Sequence, residues 1–138
     1  MKNTFLPFAI MALVMIASVQ GQYASCTDWA ADSGVTFTEA EAQVIESAHN
    51  YCESLDITQH YSWTNSAVVA LEIVFDSQTY IESYYDSLTF SYTDISGEAQ
   101  TMSFSGSSFS SFILEASEFD ITFHSDSSVD YWGYSFTA

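Results

Sequence analysis

The chain is 138 residues long and holds 18 aspartates and glutamates against a single basic residue, for a formal net charge of −17. That cation, Lys2, precedes every acid, so from Gln22 onward the only side chains able to carry positive charge are His49, His60 and His124. Nucleic-acid binding is excluded, because phosphates would meet a surface of their own sign, and a hydrophobic content of 48% with 17% aromatics excludes a disordered acidic tail.

In chain order, Met1 to Phe5 includes Lys2, and Leu6 to Val19 is almost wholly apolar. Val19-Gln20-Gly21 then sets compact residues at the −3 and −1 positions for cleavage before Gln22. Residues 1–21 are therefore predicted to be a secretory signal peptide, which makes the protein secreted and extracellular. The apolar run falls short of the roughly twenty residues a bilayer span needs, and no second such run follows, so no membrane span is expected. The remainder, 22–138, has the length of a single domain.

Cys26 and Cys52 are an even pair in a chain read as secreted, and a disulfide between them would stabilise by about 3.5 kcal/mol in the chain-entropy account. Two unrelated buried thiols are the alternative. From Thr38 to Ser47 the run Glu39-Ala40-Glu41-Ala42-Gln43 favours a helix, yet Val44-Ile45-Glu46-Ser47 leads straight into strand-like sequence. Beyond that the dominant period is two. Val69, Leu71, Ile73 and Phe75 alternate with Ala70, Glu72 and Val74; Leu88, Phe90 and Tyr92 alternate with Ser87, Thr89 and Ser91. Phe119, Ile121 and Phe123 alternate with Asp120, Thr122 and His124, and Trp132, Tyr134 and Phe136 with Gly133 and Ser135. Asp94 to Glu98 and Ser105 to Ser108 carry the Gly, Ser and Asp signals of turns. Short strands at this spacing predict an all-β fold, an antiparallel sandwich or barrel. The sole proline is Pro7, so negative charge is the main guard on any edge strand, and self-association stays open.

From about Ile45 to Ala138 the order of features resembles a CUB domain, a secreted β-sandwich module. The carrying pieces are Glu46-Ser47-Ala48-His49-Asn50-Tyr51 in place of the family's Ser-Pro-Asn-Tyr turn, and Tyr61-Ser62-Trp63 in place of its Cys-x-Trp strand. Phe75 through Ile81-Glu82 to Tyr85-Asp86-Ser87-Leu88 follows, and then Phe123-His124-Ser125-Asp126-Ser127-Ser128 before Trp132-Gly133-Tyr134-Ser135-Phe136. There are departures. The family's second disulfide is missing, Cys52 falls several residues before the family's cysteine position at Tyr61, and the loop from Glu82 to Asp86 is short and lacks its disulfide brace.

The resemblance implies an antiparallel β-sandwich of jelly-roll type and a calcium site on Glu82, Asp86 and Asp126, with Ser128 or nearby carbonyls as further ligands; apart from the resemblance, Asp76 is a candidate fourth acid or a substitute for one of the three. Calcium suits such a set, because it takes six to eight oxygens from carboxylates, carbonyls and water. It also suits this chain, because carboxylates brought within about 5 Å repel by about 3 kcal/mol per pair at an effective dielectric near 20, and no basic side chain can relieve them. The implied partner is an extracellular protein offering exposed Lys or Arg, or a glycan, received at an acidic edge with Ca2+ as cofactor. The alternative is a structural subunit of an extracellular coat, matrix or fibre that assembles through aromatic-rich strands.

Enzymatic constellations are weak. His124-Ser125-Asp126 holds the residue types of a hydrolase triad, but neighbours along a strand point to opposite faces. Three scattered histidines have no zinc-ligand spacing. Glu115, Glu118 and Asp120 supply acids without a cleft to set them in. The expected function is non-enzymatic binding.

Overall fold

The computed structural model describes Tyr23 and residues 25–138; the leader assigned to residues 1–21 lies outside the described residues. Among those described, the chain forms α1 (Cys26–Ala31) and nine strands, β1 (Thr36–Phe37), β2 (Val44–Glu46), β3 (Asp56–Trp63), β4 (Leu71–Phe75), β5 (Ser87–Thr93), β6 (Ala99–Phe104), β7 (Phe112–Leu114), β8 (Glu118–His124) and β9 (Ser135–Thr137). They make two sheets, one of five strands in the order β1-β3-β8-β5-β6 and one of four in the order β2-β9-β4-β7. Pairing is antiparallel throughout except between β1 and β3, which run parallel.

The period-two pattern puts one face of each strand into the space between the sheets. Ile57, Gln59, Tyr61 and Trp63 of β3, Leu88 and Phe90 of β5, and Phe119, Ile121 and Phe123 of β8 are buried on the larger sheet. Ile45, Leu71, Ile73, Leu114 and Phe136 are buried on the smaller. Phe90 lies at the middle, its ring centroid 5.2 Å from Phe136, 5.3 Å from Phe112, 5.5 Å from Phe119, 6.0 Å from Phe104 and 6.1 Å from Phe75. These separations are those of tilted and edge-on aromatic pairs, which add to the area each ring removes from water.

Several expectations change in detail. The helix favoured by Glu39 to Gln43 does not form; that stretch is irregular, and Val44–Glu46 pairs with β9 instead. Its alanines and glutamates have no apolar stripe to bury, so propensity alone does not hold a helix there. Val69 precedes β4 and is 67% exposed, so the inward row starts only at Leu71. Trp132 likewise lies ahead of β9 and stacks its ring on His49 at 3.9 Å.

The helix that does form, α1, begins at Ser25, whose hydroxyl accepts from the Asp28 N–H at 3.2 Å as an N-cap. Six residues are too few for a helix to persist alone. Two anchors hold it: Trp29 is fully buried against Phe123 and Tyr134, and Cys26 is disulfide-bonded to Cys52 with a Cα separation of 5.9 Å. The bridge thus ties the segment before the sandwich to the chain just ahead of β3.

Candidate metal centre

Three chain segments meet at one end of the sandwich: the connection from β4 to β5, the residues following β8, and the stretch around Tyr51 and Cys52. From these, Glu82, Asp86 and Asp126 bring carboxylate oxygens within 4.8 Å of one another. Asp86 is buried at 2% exposure, and Glu82 and Asp126 are partly buried. No lysine or arginine follows residue 2, and each of the three histidines is engaged elsewhere, so nothing cationic in the described chain faces this trio.

A second layer of hydrogen bonds fixes the acids. The Tyr51 hydroxyl donates to Asp86 Oδ2 and accepts from the Glu82 N–H at 3.0 Å, so one buried phenol links two members of the cluster. Asp86 Oδ1 accepts from the Asp126 N–H at 2.9 Å, linking the third. Burial, with the hydrogen bond to Asp86 next in weight, pushes the Tyr51 phenol well above its ordinary pKa, which keeps it a donor. The Ser125 hydroxyl beside Asp126 donates to the Cys52 carbonyl at 2.6 Å and accepts from the Leu55 N–H at 3.0 Å. The disulfide-tethered segment therefore forms the back wall of the site.

The front wall is the loop from Glu82 to Asp86. Where the resemblance leads one to expect a disulfide brace, Ser105 supplies a polar one: its hydroxyl lies 3.1 Å from the Glu82 carbonyl and 2.9 Å from the Asp86 carbonyl, and accepts from the Tyr84 N–H at 3.0 Å. Gly106 passes close behind at a φ of +76°, and a Cβ there would stand 2.8 Å from the Ser83 hydroxyl. Tyr84 and Tyr85 point outward from this loop at 96% and 62% exposure.

The three acids lie close enough together to hold a metal ion. Glu82 Oε2 is buried without a hydrogen-bond partner, and an unpaired buried oxygen carries a desolvation cost that a bound cation would offset. Desolvation first, then the charges of Asp126 and Asp86, raise the Glu82 pKa above the usual carboxylate value. Hard oxygens from three carboxylates, with carbonyls at hand and neither sulfur nor imidazole among them, fit calcium better than a softer metal.

Ser128 lies beside Asp126, and Asp76 lies apart from the trio. Ser128 turns to the acid itself, its N–H donating to Asp126 Oδ1 at 2.9 Å with its hydroxyl 3.4 Å away. Asp76 stands outside the trio and closes its own turn by accepting from the Gln78 N–H at 2.8 Å. The triad residues are dispersed as strand geometry requires, His124 reaching across to Asp56 at 2.7 Å while Ser125 bonds backbone. His60 pairs with Asp120 at 2.8 Å and His49 with the Trp132 carbonyl at 2.7 Å, so the histidines do not converge. Sequence reasoning missed Tyr51 and Ser105 as site residues: Tyr51 falls on the tyrosine of the quoted turn motif, which does not say that it reaches the acids, and Ser105 lies in a serine-rich turn.

No protein-family model matches the chain, and no curated protein does either. Among solved structures, the chain resembles the CUB1-EGF-CUB2 domain of human MASP-1/3, with 19% identity and a TM-score of 0.61 over 77% of this chain and 41% of that one. It resembles the MASP-1 CUB2 domain bound to Ca2+ to the same TM-score of 0.61, with 20% identity over 76% of this chain and 96% of that one. The likeness shows the fold, an antiparallel β-sandwich of the CUB type.

Proposed function

We propose that the chain is a secreted, non-enzymatic binding module, with a cleaved leader at residues 1–21 and one CUB-like domain at 22–138. In this reading Glu82, Asp86 and Asp126 hold Ca2+, with Ser128 orienting Asp126, and the acidic edge around them receives a lysine or arginine of an extracellular protein partner. The observation that carries the reading is the buried, unpartnered Glu82 Oε2 inside a trio of carboxylates that no basic side chain of the chain neutralises.

Bound calcium would supply the positive charge that lets all three acids stay ionised at close range. The chain's own residues do the rest. Tyr51 and the Asp126 N–H hold Asp86 in place, Ser105 holds the loop that carries Glu82, and the outer carboxylate oxygens stay free for a charge-assisted hydrogen bond to a visiting ammonium or guanidinium. The Cys26–Cys52 disulfide and the Ca2+-bound structural neighbour support the extracellular, calcium-assisted reading.

Calorimetric titration of the chain from Gln22 with calcium chloride is expected to show uptake that Asp126→Ala loses. Failure of the wild-type chain to take up the ion at millimolar calcium overturns the reading.

A further inference from the structure

The 18 acids are spread over most of the described chain, yet from Ala99 to Leu114 not one residue is charged. Those residues build a single flank of the sandwich. Here β6 is the last strand of the larger sheet and β7 the last strand of the smaller, and the two edges lie together, with Phe104 5.6 Å from Phe112 and 5.5 Å from Phe109. The opposite flank is different: β1 has only two residues, and β1 and β2 are surrounded by Asp32, Glu39, Glu41 and Glu46.

The β6 edge has none of the usual guards. It runs six residues in unbroken register with β5, from Thr93↔Ala99 to Leu88↔Phe104, without a proline, a charge or a bulge. Among the described residues, no backbone hydrogen bond reaches Ala99–Phe104 from any element but β5, so the outer row of N–H and C=O groups is open. Ala99, Thr101 and Ser103 are exposed, and Met102 and Phe104 partly so.

We infer that β6 pairs with β6 of a second copy of this chain, in antiparallel fashion about a two-fold axis, joining two five-stranded sheets into one. Charge selects the occupant. Two copies that meet through their acid-bearing surfaces bring acids against acids with no lysine or arginine to relieve them, whereas this flank presents hydroxyls, Met102 and phenylalanines to their own kind and offers an open strand edge besides. A basic partner, by contrast, is drawn to the acidic surfaces and gains nothing from an uncharged edge. Two-fold pairing uses up both β6 edges, and the acidic, two-residue β1 edge offers no continuation, so assembly stops at the dimer.

Association of two anionic copies is opposed at long range and favoured at contact, so it strengthens as salt shortens the screening length from about 30 Å at 0.01 M to about 10 Å at 0.1 M. It does not involve the carboxylate trio. Sedimentation equilibrium of the chain from Gln22, in EDTA throughout, is expected to show monomer giving way to dimer between 20 mM and 500 mM sodium chloride. Thr101→Asp with Ser103→Asp, which set like charges opposite each other across the pair, should raise the dissociation constant at least a hundredfold. Thr36→Asp with Thr38→Asp, at the far edge where both side chains are exposed, should leave it within a few-fold.

Amide exchange of the unaltered chain supplies a readout that needs no variant, with Ala99–Phe104 expected to exchange more slowly as concentration rises. A monomer at 500 mM salt and high micromolar concentration overturns the proposal. So does open-ended assembly beyond the dimer, equal disruption by the two variant pairs, or concentration-independent exchange in β6. Because EDTA is present in every arm, loss of the calcium reading leaves this result intact, and loss of the dimer leaves the calcium titration intact.

Discussion

Tyr51 and Asp86 lie 35 residues apart and meet through a buried hydrogen bond from phenol to carboxylate, while the same phenol oxygen accepts from the N–H of Glu82. The edge-on contact of the Tyr51 ring with Phe123, at 5.1 Å, seats that hydroxyl in the hydrophobic core rather than on a mobile loop. An interior aromatic residue thus sets the position of one buried and one partly buried acid. Tyr51→Phe leaves a buried carboxylate oxygen and an N–H without their partner and should cost about 1–3 kcal/mol in urea unfolding. Calcium affinity measured by calorimetry should fall about tenfold, or about 1.4 kcal/mol. Unchanged affinity would show that the phenol serves folding alone.

Glu82 gives the metal-free protein an acid-favouring pH response. Its folded pKa is raised, first by desolvation and then by Asp126 and Asp86, so the folded state holds the proton more tightly than the unfolded chain. The associated stability is fully present below the ordinary carboxylate pKa and is lost as pH rises through the folded value. In EDTA the melting temperature should therefore drop as pH rises across that window, and Glu82→Gln should remove that part of the change. Added calcium should restore stability on the alkaline side.

Asp94 acts in the opposite sense. Hydrogen bonds from the Ser96 side chain, the Glu98 N–H and Gln100 hold its pKa down, to about 2, at the turn between β5 and β6. A depressed carboxylate contributes stability that is present above its unfolded value and lost as pH falls through its folded one. Asp94→Ala should lower the melting temperature at pH 7 and flatten the decline between about pH 4 and pH 2 in a thermal unfolding series. An unchanged acid limb would show that the turn holds without this carboxylate.

The Cys26–Cys52 bridge ties α1 to the segment carrying Tyr51. Opening it, by reduction or by paired serine substitution, should cost about 3.5 kcal/mol in the chain-entropy account. Because the bridge lies next to Tyr51, the loss should also appear as weaker calcium uptake at temperatures where the chain stays folded. Equal unfolding midpoints in urea for the oxidised and reduced chain would contradict this.

The alternation that betrays β5 and β8 in the sequence survives intact because both are central strands with one face against the core and one in water. Leu88 and Phe90, and Phe119, Ile121 and Phe123, leave no other face to bury. The helix reading at Glu39 to Gln43 fails for the reverse reason: those residues suit a helix individually, but no partner surface rewards one. The legible part of the site is its acids, because Glu82, Asp86 and Asp126 fall on motif positions of the family resemblance. Its supports are less legible. Tyr51 falls on a motif tyrosine and Ser105 on no motif, but both reach the acids through tertiary contacts, 31 and 19 residues along the chain from Glu82 and Asp86 respectively, and nothing local in the sequence marks such a meeting.

The two walls of the carboxylate site are fastened by different chemistry: a covalent sulfur bridge adjoins the Tyr51 side, and a serine hydroxyl gathers the Glu82 to Asp86 loop. A reductant attacks the first and leaves the second alone. In a reducing environment the loop would keep its hydrogen bonds while the tether behind it loosens, so the rear of the carboxylate cluster would slacken before the front.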